Sequence, residues 1–188
     1  MAVYTRINQN DLSLIEKDFK IGKIVSFSGI KKGIENTNYL IKTNEKKIIL
    51  TIFEKRVQKR DLPFFMNLMF GLSKHKIKCP EPIKNKKGKY LFKIKNKTAC
   101  LVSFLEGKDK NQLTSKDCFQ VGKNAALLHL AAKKLRLHRK NSLSVSSWGP
   151  LLNRIDKRIN KLSYNLIKTM KTDLIDIKKN GQKICQTE

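Results

Sequence analysis

The sequence predicts an α+β fold: an antiparallel sheet crossed by one helix, then a helical region. Three observations predict it. Residues 23–54 hold two strand patterns around a glycine-punctuated turn, followed at once by a third strand. A strongly apolar helical pattern begins after Asp61 and ends at Cys79-Pro80-Glu81-Pro82. A second pair of strands, 90–105, breaks at Glu106-Gly107, and only helical spacing follows.

Each element has a local cause. Asn10 is a good cap for a helix over 11–19, with Leu12, Ile15 and Phe19 on one face. Residues 23–30 and 38–43 read as strands around Gly29–Gly33. The β-branched run 46–54 makes a third strand. Asp61 can cap the next helix, with Pro63 tolerated in its first turn and Phe64, Phe65, Leu68, Met69 and Leu72 as its apolar stripe. That helix ends before Pro80 and Pro82, because a residue preceding proline is pushed out of the helical region. Tyr90–Ile94 and Ala99–Leu105 pair across a polar turn, which completes a five-stranded antiparallel sheet. Residues 108–114 are polar linker. Thr114 and Asp117 resemble a capping box for a helix over 115–135, whose stripe holds Phe119, Ala126, Leu127 and Leu130. Pro150 suits a first turn, so 150–179 reads as mostly helical, with a break near 163–165.

Length and composition bound the function. The chain has 188 residues, 40% of them hydrophobic, enough for a real core. No run approaches the roughly 18 apolar residues of a membrane span, and the first residues carry no apolar signal core. A cytoplasmic protein without membrane partners is expected. The four cysteines, Cys79, Cys100, Cys118 and Cys185, form no C-x-x-C pair, so packed reduced thiols are expected rather than zinc or disulfides. Net charge is +26, which raises nucleic-acid binding. Two facts argue against it. The bases are 34 Lys to 7 Arg, whereas forked recognition of phosphates and base edges favours Arg. Lys is also spread along the chain rather than gathered. No nucleic-acid partner is expected.

Several segments carry candidate chemistry. Gly29-Ile-Lys-Lys-Gly33-Ile-Glu-Asn36 can present backbone N–H groups to phosphates; equally, two glycines between strands make a plain hairpin turn. It is neither a Walker loop nor G-x-G-x-x-G. Thr51 stands where a kinase-like third strand offers its phosphate-pairing lysine, and Lys55 just beyond reads as exposed. Val102-Ser-Phe-Leu-Glu-Gly107 has the form of a lobe-connecting hinge whose backbone can meet an adenine edge; its other reading is an ordinary strand end. His129 and Trp148 read as packed structural residues.

These segments, in this order, resemble homoserine kinase of the aminoglycoside-phosphotransferase type, within the protein-kinase-like superfamily. The stretches that carry the resemblance include Phe27–Tyr39, Ile49-Leu-Thr-Ile-Phe-Glu-Lys-Arg-Val57, Asp61-Leu-Pro-Phe-Phe65, Val102–Gly107, Leu128-His-Leu-Ala131, Arg139-Lys-Asn-Ser-Leu143 and Trp148. The resemblance implies a protein-kinase-like small lobe over 1–105, then a hinge and the first helices of an incomplete helical large lobe over 106–188. It implies ATP and Mg²⁺ as cofactors and phosphorylation of the L-homoserine hydroxyl, a step of threonine biosynthesis. The candidate ATP-binding residues are Gly29, Ile30, Gly33, Asn36, Asn38, Thr51, Ser103, Phe104, Leu105 and Glu106. A related alcohol kinase of aminoglycoside or choline type is the alternative, ahead of a basic nucleic-acid binder.

Catalysis in that family depends on a His-x-Asp-x-x-x-x-Asn loop and a later magnesium-binding Asp. The acidic residues after position 150 are Asp156, Asp173, Asp176 and Glu188, without that spacing. No catalytic or metal-binding residue is therefore expected in the chain, and little or no phosphotransfer by it. One back-translation of residues 181–188, with a single base restored, reads Trp-Pro-Lys-Asn-Leu-Pro-Asn-Gly-Ile. That is similar to the family's run-in to its catalytic loop, so a one-base frameshift or truncation is expected there.

Overall fold

Strands β1 (Ile24–Gly29), β2 (Thr37–Thr43) and β3 (Lys47–Ile52) form an antiparallel meander. Ile, Leu and Thr dominate β2 and β3, residues that fit a pleated surface buried on both sides. Strand β4 (Pro82–Ile83), β5 (Leu91–Ile94) and β6 (Lys97–Ser103) complete a six-stranded sheet. One edge of β6 pairs with β3; the other pairs with β5 along Lys97–Cys100 and with β4 along Leu101–Val102. The five expected strands are all present. The two-residue β4 joins them, and as an edge it tolerates Pro82, which has no N–H to donate.

The computed structural model describes residues 3–54, 57–156 and 164–184. They fall in two compact units, Met1–Arg139 and Lys140–Glu188. In the first, helix α1 (Gln9–Asp18) covers one face of the sheet and α2 (Leu62–Lys74) the other. Helix α3 (Ser115–Lys134) ends the unit, with a last-turn close approach between Leu135 and α2.

The caps differ from expectation in instructive ways. Asn8, not Asn10, caps α1. Its Oδ1 accepts from Asp11 N at 3.1 Å, and Asp11 Oδ2 accepts from Asn8 N at 2.9 Å. A reciprocal box needs a partner three residues on, and Asn10 would find Ser13 there. Asp61 sits at the N-cap position of α2, but a short 3₁₀ turn, Lys59–Asp61, runs straight into the helix, and its side chain makes no capping bond. Thr114 and Asp117 do close the expected box on α3: Thr114 N donates to Asp117 Oδ2 at 3.0 Å.

The expected stripe of α3 stays exposed. Among its described residues only Ala131 is buried; Phe119, Leu127, Leu130 and His129 face solvent, so His129 is not a packed core histidine. Cys118 is exposed as well, whereas Cys100 is buried. Helix α4 (Val145–Asp156) starts before the expected position, and Pro150 lies inside it rather than in its first turn. Helix α5 (Tyr164–Ile184) follows. Within this second unit, Trp148, Leu152 and Ile155 of α4 and Met170, Leu174 and Ile177 of α5 line an apolar groove of about 420 Å³. Trp148 is 41% exposed and its Nε1 donates to Leu143 O at 2.8 Å, so it is a groove residue rather than a core one. The break expected near 163–165 falls partly outside the described residues, as do Lys55 and Cys185.

Candidate functional site

The period of two along a strand separates the sheet into two surfaces. Ile48, Leu50 and Ile52 of β3 point toward α1 with Tyr39, Ile41, Ala99 and Leu101, and all are buried. The alternate residues, Ile49, Thr51 and Phe53, point toward α2, together with Asn38, Cys100 and Val102. There the packing does not close. A cavity of about 560 Å³ lies between this surface, the turn after β1 and the segment after β6, a volume suited to a small ligand.

Its apolar lining comes from Ile30, Ile49, Phe53, Val57, Phe65, Met66, Met69, Pro80, Cys100, Val102 and Leu105. Asn36, Asn38, Thr51 and Ser103 supply side-chain polar groups. Thr51 and Asn38 face each other across the β2–β3 ladder, and Thr51 Oγ1 donates to Asn38 Oδ1 at 2.8 Å. Asn36 Oδ1 accepts from Glu54 N at 3.5 Å. Burial pushes the Cys100 thiol up to about 12, so it lines the cavity as a neutral apolar group.

The turn over the cavity, residues 30–36, is held at three points. Ile30 N donates to Asn38 O at 2.8 Å, extending the hairpin by one rung. Tyr4 Oη donates to Ile34 O at 3.1 Å. Lys32 Nζ pairs with Asp109 Oδ2 at 2.5 Å, reaching from the turn tip to the segment beyond β6; both ends are exposed, so this pair is weak. Gly33 has φ +116°, a conformation side chains rarely adopt, which is the physical need for glycine here.

The base of the turn rests on a polar cluster. Thr37, fully buried, donates from Oγ1 to Glu54 Oε1 at 2.7 Å and accepts from Tyr4 N and Thr5 N at 2.9 and 3.1 Å. Thr5 Oγ1 also donates to Glu54 Oε1, and Lys97 Nζ pairs with Glu54 Oε2. Partial burial raises the Glu54 carboxyl, but the bonds from Lys97, Thr5 and Thr37 outweigh it and hold the group below its ordinary value.

At the far side, the segment leaving β6 is partly stitched into the sheet. Ser103 N donates to Glu81 O at 2.9 Å and Phe104 N to Lys47 O at 3.4 Å. The backbone of Leu105 and Glu106 leaves the sheet. Among the described residues no group of three His, Cys, Asp or Glu can hold a metal ion, and no described carboxylate lines the cavity. The described lining of the cavity therefore offers no carboxylate to the Mg²⁺ that the resemblance implies.

Residues 26–173 match the phosphotransferase enzyme family. The chain belongs to that family. It is 39% identical over 174 residues to the homoserine kinase of Paramagnetospirillum magneticum, covering 93% of this chain and 53% of the relative. It is 38% identical over 187 residues to the homoserine kinase of Bartonella henselae, covering 100% of this chain and 59% of that protein. The chain therefore spans a little over half the length of the curated relatives it matches. Among solved structures, a spectinomycin phosphotransferase in complex with ADP and spectinomycin superposes with a TM-score of 0.61 at 16% identity. The superposition covers 97% of this chain and 56% of that one, a likeness of fold.

In this chain the structure brings together Ile30, Asn36, Asn38, Thr51, Ser103, Phe104 and Leu105 of the sequence-selected residues around one cavity. Gly29, Gly33 and Glu106 do not line it. Gly29 pairs with Tyr39 in the β1–β2 ladder. Glu106 turns to Lys47 Nζ at 2.7 Å, beside a separate groove lined by Thr43, Lys47, Glu81 and Ser103. Sequence reading missed Ile49, Phe53, Val57, Phe65, Met66, Met69, Pro80, Cys100 and Val102. Parity was the available signal for part of this set. Ile49 and Phe53 share the orientation of Thr51, and Cys100 lies opposite Thr51 in the β3–β6 register.

Proposed function

We propose that this chain holds ATP in the cavity between β3 and α2, as the nucleotide-binding part of a homoserine kinase. The observation that carries the reading is the convergence of the turn, the Asn38–Thr51 pair and the segment after β6 on one apolar-walled space. The names of the curated relatives support the acceptor. Ile30, Ile49, Val102 and Leu105 offer apolar surface to an adenine ring. The backbone of Leu105 and Glu106 can pair with its edge, and N–H groups of the turn can meet phosphate oxygens. We retain 1–105 as the small lobe and 106–188 as hinge and part of the large lobe.

The whole protein then acts on L-homoserine in the cytoplasm. The hydroxyl oxygen of the amino acid attacks the γ-phosphorus, the bond to the β-phosphate oxygen breaks, the hydroxyl proton is lost, and ADP and O-phospho-L-homoserine result. The part played by the described residues is to bind and orient the nucleotide. No described carboxylate lines the cavity to serve as the base for the acceptor proton, so the chain by itself should bind nucleotide without transferring phosphoryl groups.

Calorimetric titration of the purified chain with ATP, alongside an ADP-release assay with L-homoserine, tests this. Saturable ATP binding that ADP competes away, with negligible homoserine-dependent ADP release, is the expected result. No binding at millimolar ATP overturns the cavity assignment. A chain extended over the remaining family length should release ADP on L-homoserine and not on spectinomycin or choline. The reverse preference overturns the acceptor.

A further inference from the structure

We infer that Arg139 is a positioning residue for the cavity, acting through Asp61 and Phe65; this rests on the nucleotide reading above. Three contacts converge on its guanidinium. Nη1 donates to Asp61 Oδ2 at 3.0 Å, and the guanidinium carbon lies 5.2 Å from the Phe65 ring centroid and 5.8 Å from that of Phe64. The two rings meet edge-on, with centroids 5.6 Å apart. Phe65 lines the cavity, so the group that fixes its ring also fixes one wall.

The sequence explains why α2 needs this clamp. Asp61 is in helical conformation with φ −87° and ψ −17°, not the extended one typical of an N-cap, and its side chain makes no capping bond. A carboxylate at a helix N-terminus is favoured by the helix dipole, but it does not by itself fix the direction in which the helix starts. Arg139 supplies that direction from 78 residues further along the chain. Arginine is suited to this position because one planar group forms a charge-assisted bond to Asp61 while its face meets the aromatic rings. The other half of α2 is held at Gly71, where an added Cβ would meet Leu135 Cδ1 at 2.6 Å. The segment after α3 therefore grips α2 at two places, Leu135 behind and Arg139 in front. Side-chain exposure is 27% for Arg139 and 20% for Asp61, so the pair is shielded well enough to act through geometry.

The test uses the intact chain and the R139Q, R139K and D61N variants. Two readouts are taken at a temperature where all are folded: affinity for a fluorescent ATP analogue, and amide exchange over residues 58–70. R139Q and D61N should each weaken the analogue about tenfold, the loss expected of one charge-assisted bond, and speed exchange in that segment. The double variant should fall short of the sum of the two single losses, because both remove the Arg139–Asp61 bond. R139K, which keeps charge without fork or stacking face, should restore only part. Unchanged analogue affinity in R139Q, with the parent binding, overturns the inference. Full restoration by R139K overturns the stacking part of it. If no variant binds the analogue, parent included, the nucleotide reading fails; exchange changes that persist then leave Arg139 a clamp on α2 with no ligand to position.

Discussion

The two faces of the sheet are built from the same strands yet end differently. Toward α1, Ile41, Ile48, Leu50, Ile52 and Leu101 are completely buried, and Phe19 meets Phe92 edge-on at 5.0 Å. Toward α2, the intervening residues include Asn38, Thr51 and Cys100, and a cavity remains. The closed face matches apolar side chains to apolar side chains at near-crystalline density. The open face places a hydrogen-bonded Asn–Thr pair where such packing would need aliphatic groups, so water or a ligand must complete it. On the proposed reading, stability and nucleotide binding fall to opposite parities of one strand.

Substitutions on the two parities should separate these roles. The largest effect is expected from Leu50→Ala on the closed face. It should cost about 3 kcal/mol in urea unfolding, from lost burial and the cavity left behind, while Ile49→Ala should cost about 1 kcal/mol, with its main effect on nucleotide affinity. Equal losses at both positions would mean the faces do not differ as described. Next, Glu54→Gln should cost about 1–2 kcal/mol at pH 7 by breaking the Lys97–Thr5–Thr37 cluster under the turn. Because the folded-state carboxyl titrates below its ordinary value of 4.5, its contribution is complete above that pH and disappears as pH falls through the lower folded value. The gap between parent and variant urea midpoints should shrink once pH falls below the ordinary carboxylate range and close as the folded-state carboxyl protonates; a gap of constant size would rule out the carboxylate as its source.

A smaller change is expected from Thr51→Val, which removes the hydroxyl facing Asn38. Stability should move by about 1 kcal/mol or less, with a several-fold loss of ATP-analogue affinity. If affinity improves instead, the Asn–Thr pair is not part of ligand recognition. The mildest contrast is chemical. Iodoacetamide at about pH 8 should label Cys118, exposed on α3, well before Cys100, whose thiol is buried and held neutral. Mass spectrometry reads both. Fast labelling of Cys100 would show that the cavity side of β6 opens more readily than its packing suggests.

Much of the first unit is readable from local chemistry. The β-branched run 46–54, the glycine turn and the Thr114–Asp117 box express near-neighbour preferences, and β3 (Lys47–Ile52), the turn and the α3 cap are found there; α2, in contrast, ends at Lys74, ahead of the prolines expected to stop it. Features that depend on distant partners are not readable in this way. The residues around Asp61 permit a cap, yet its short charged contact is to Arg139 at 3.0 Å, with Arg60 more distant at 4.0 Å. The stripe on α3 has the spacing of a buried face, but apolar spacing reports what a helix can bury, not whether anything covers it. In the cavity, the turn and hinge segments stand out through their glycines and sequence breaks. Met66, Met69 and Phe65 do not, because an apolar helix residue looks the same whether it faces a core or a ligand space.

What the sequence alone determined is the order of the main elements, the alternation of β3, and a glycine turn between the first two strands. These follow from backbone preferences and side-chain shape within a few residues. Only the tertiary structure decided which parity of β3 would be sealed and which left open, and that Glu54 and Arg139 would hold the edges of the opening. Both parities carry apolar residues, and which face seals depends on what α1 and α2, distant along the chain, bring against each: α1 and its C-cap add Leu12, Ile15 and Phe19 to one cluster, and α2 adds Met66 to the other.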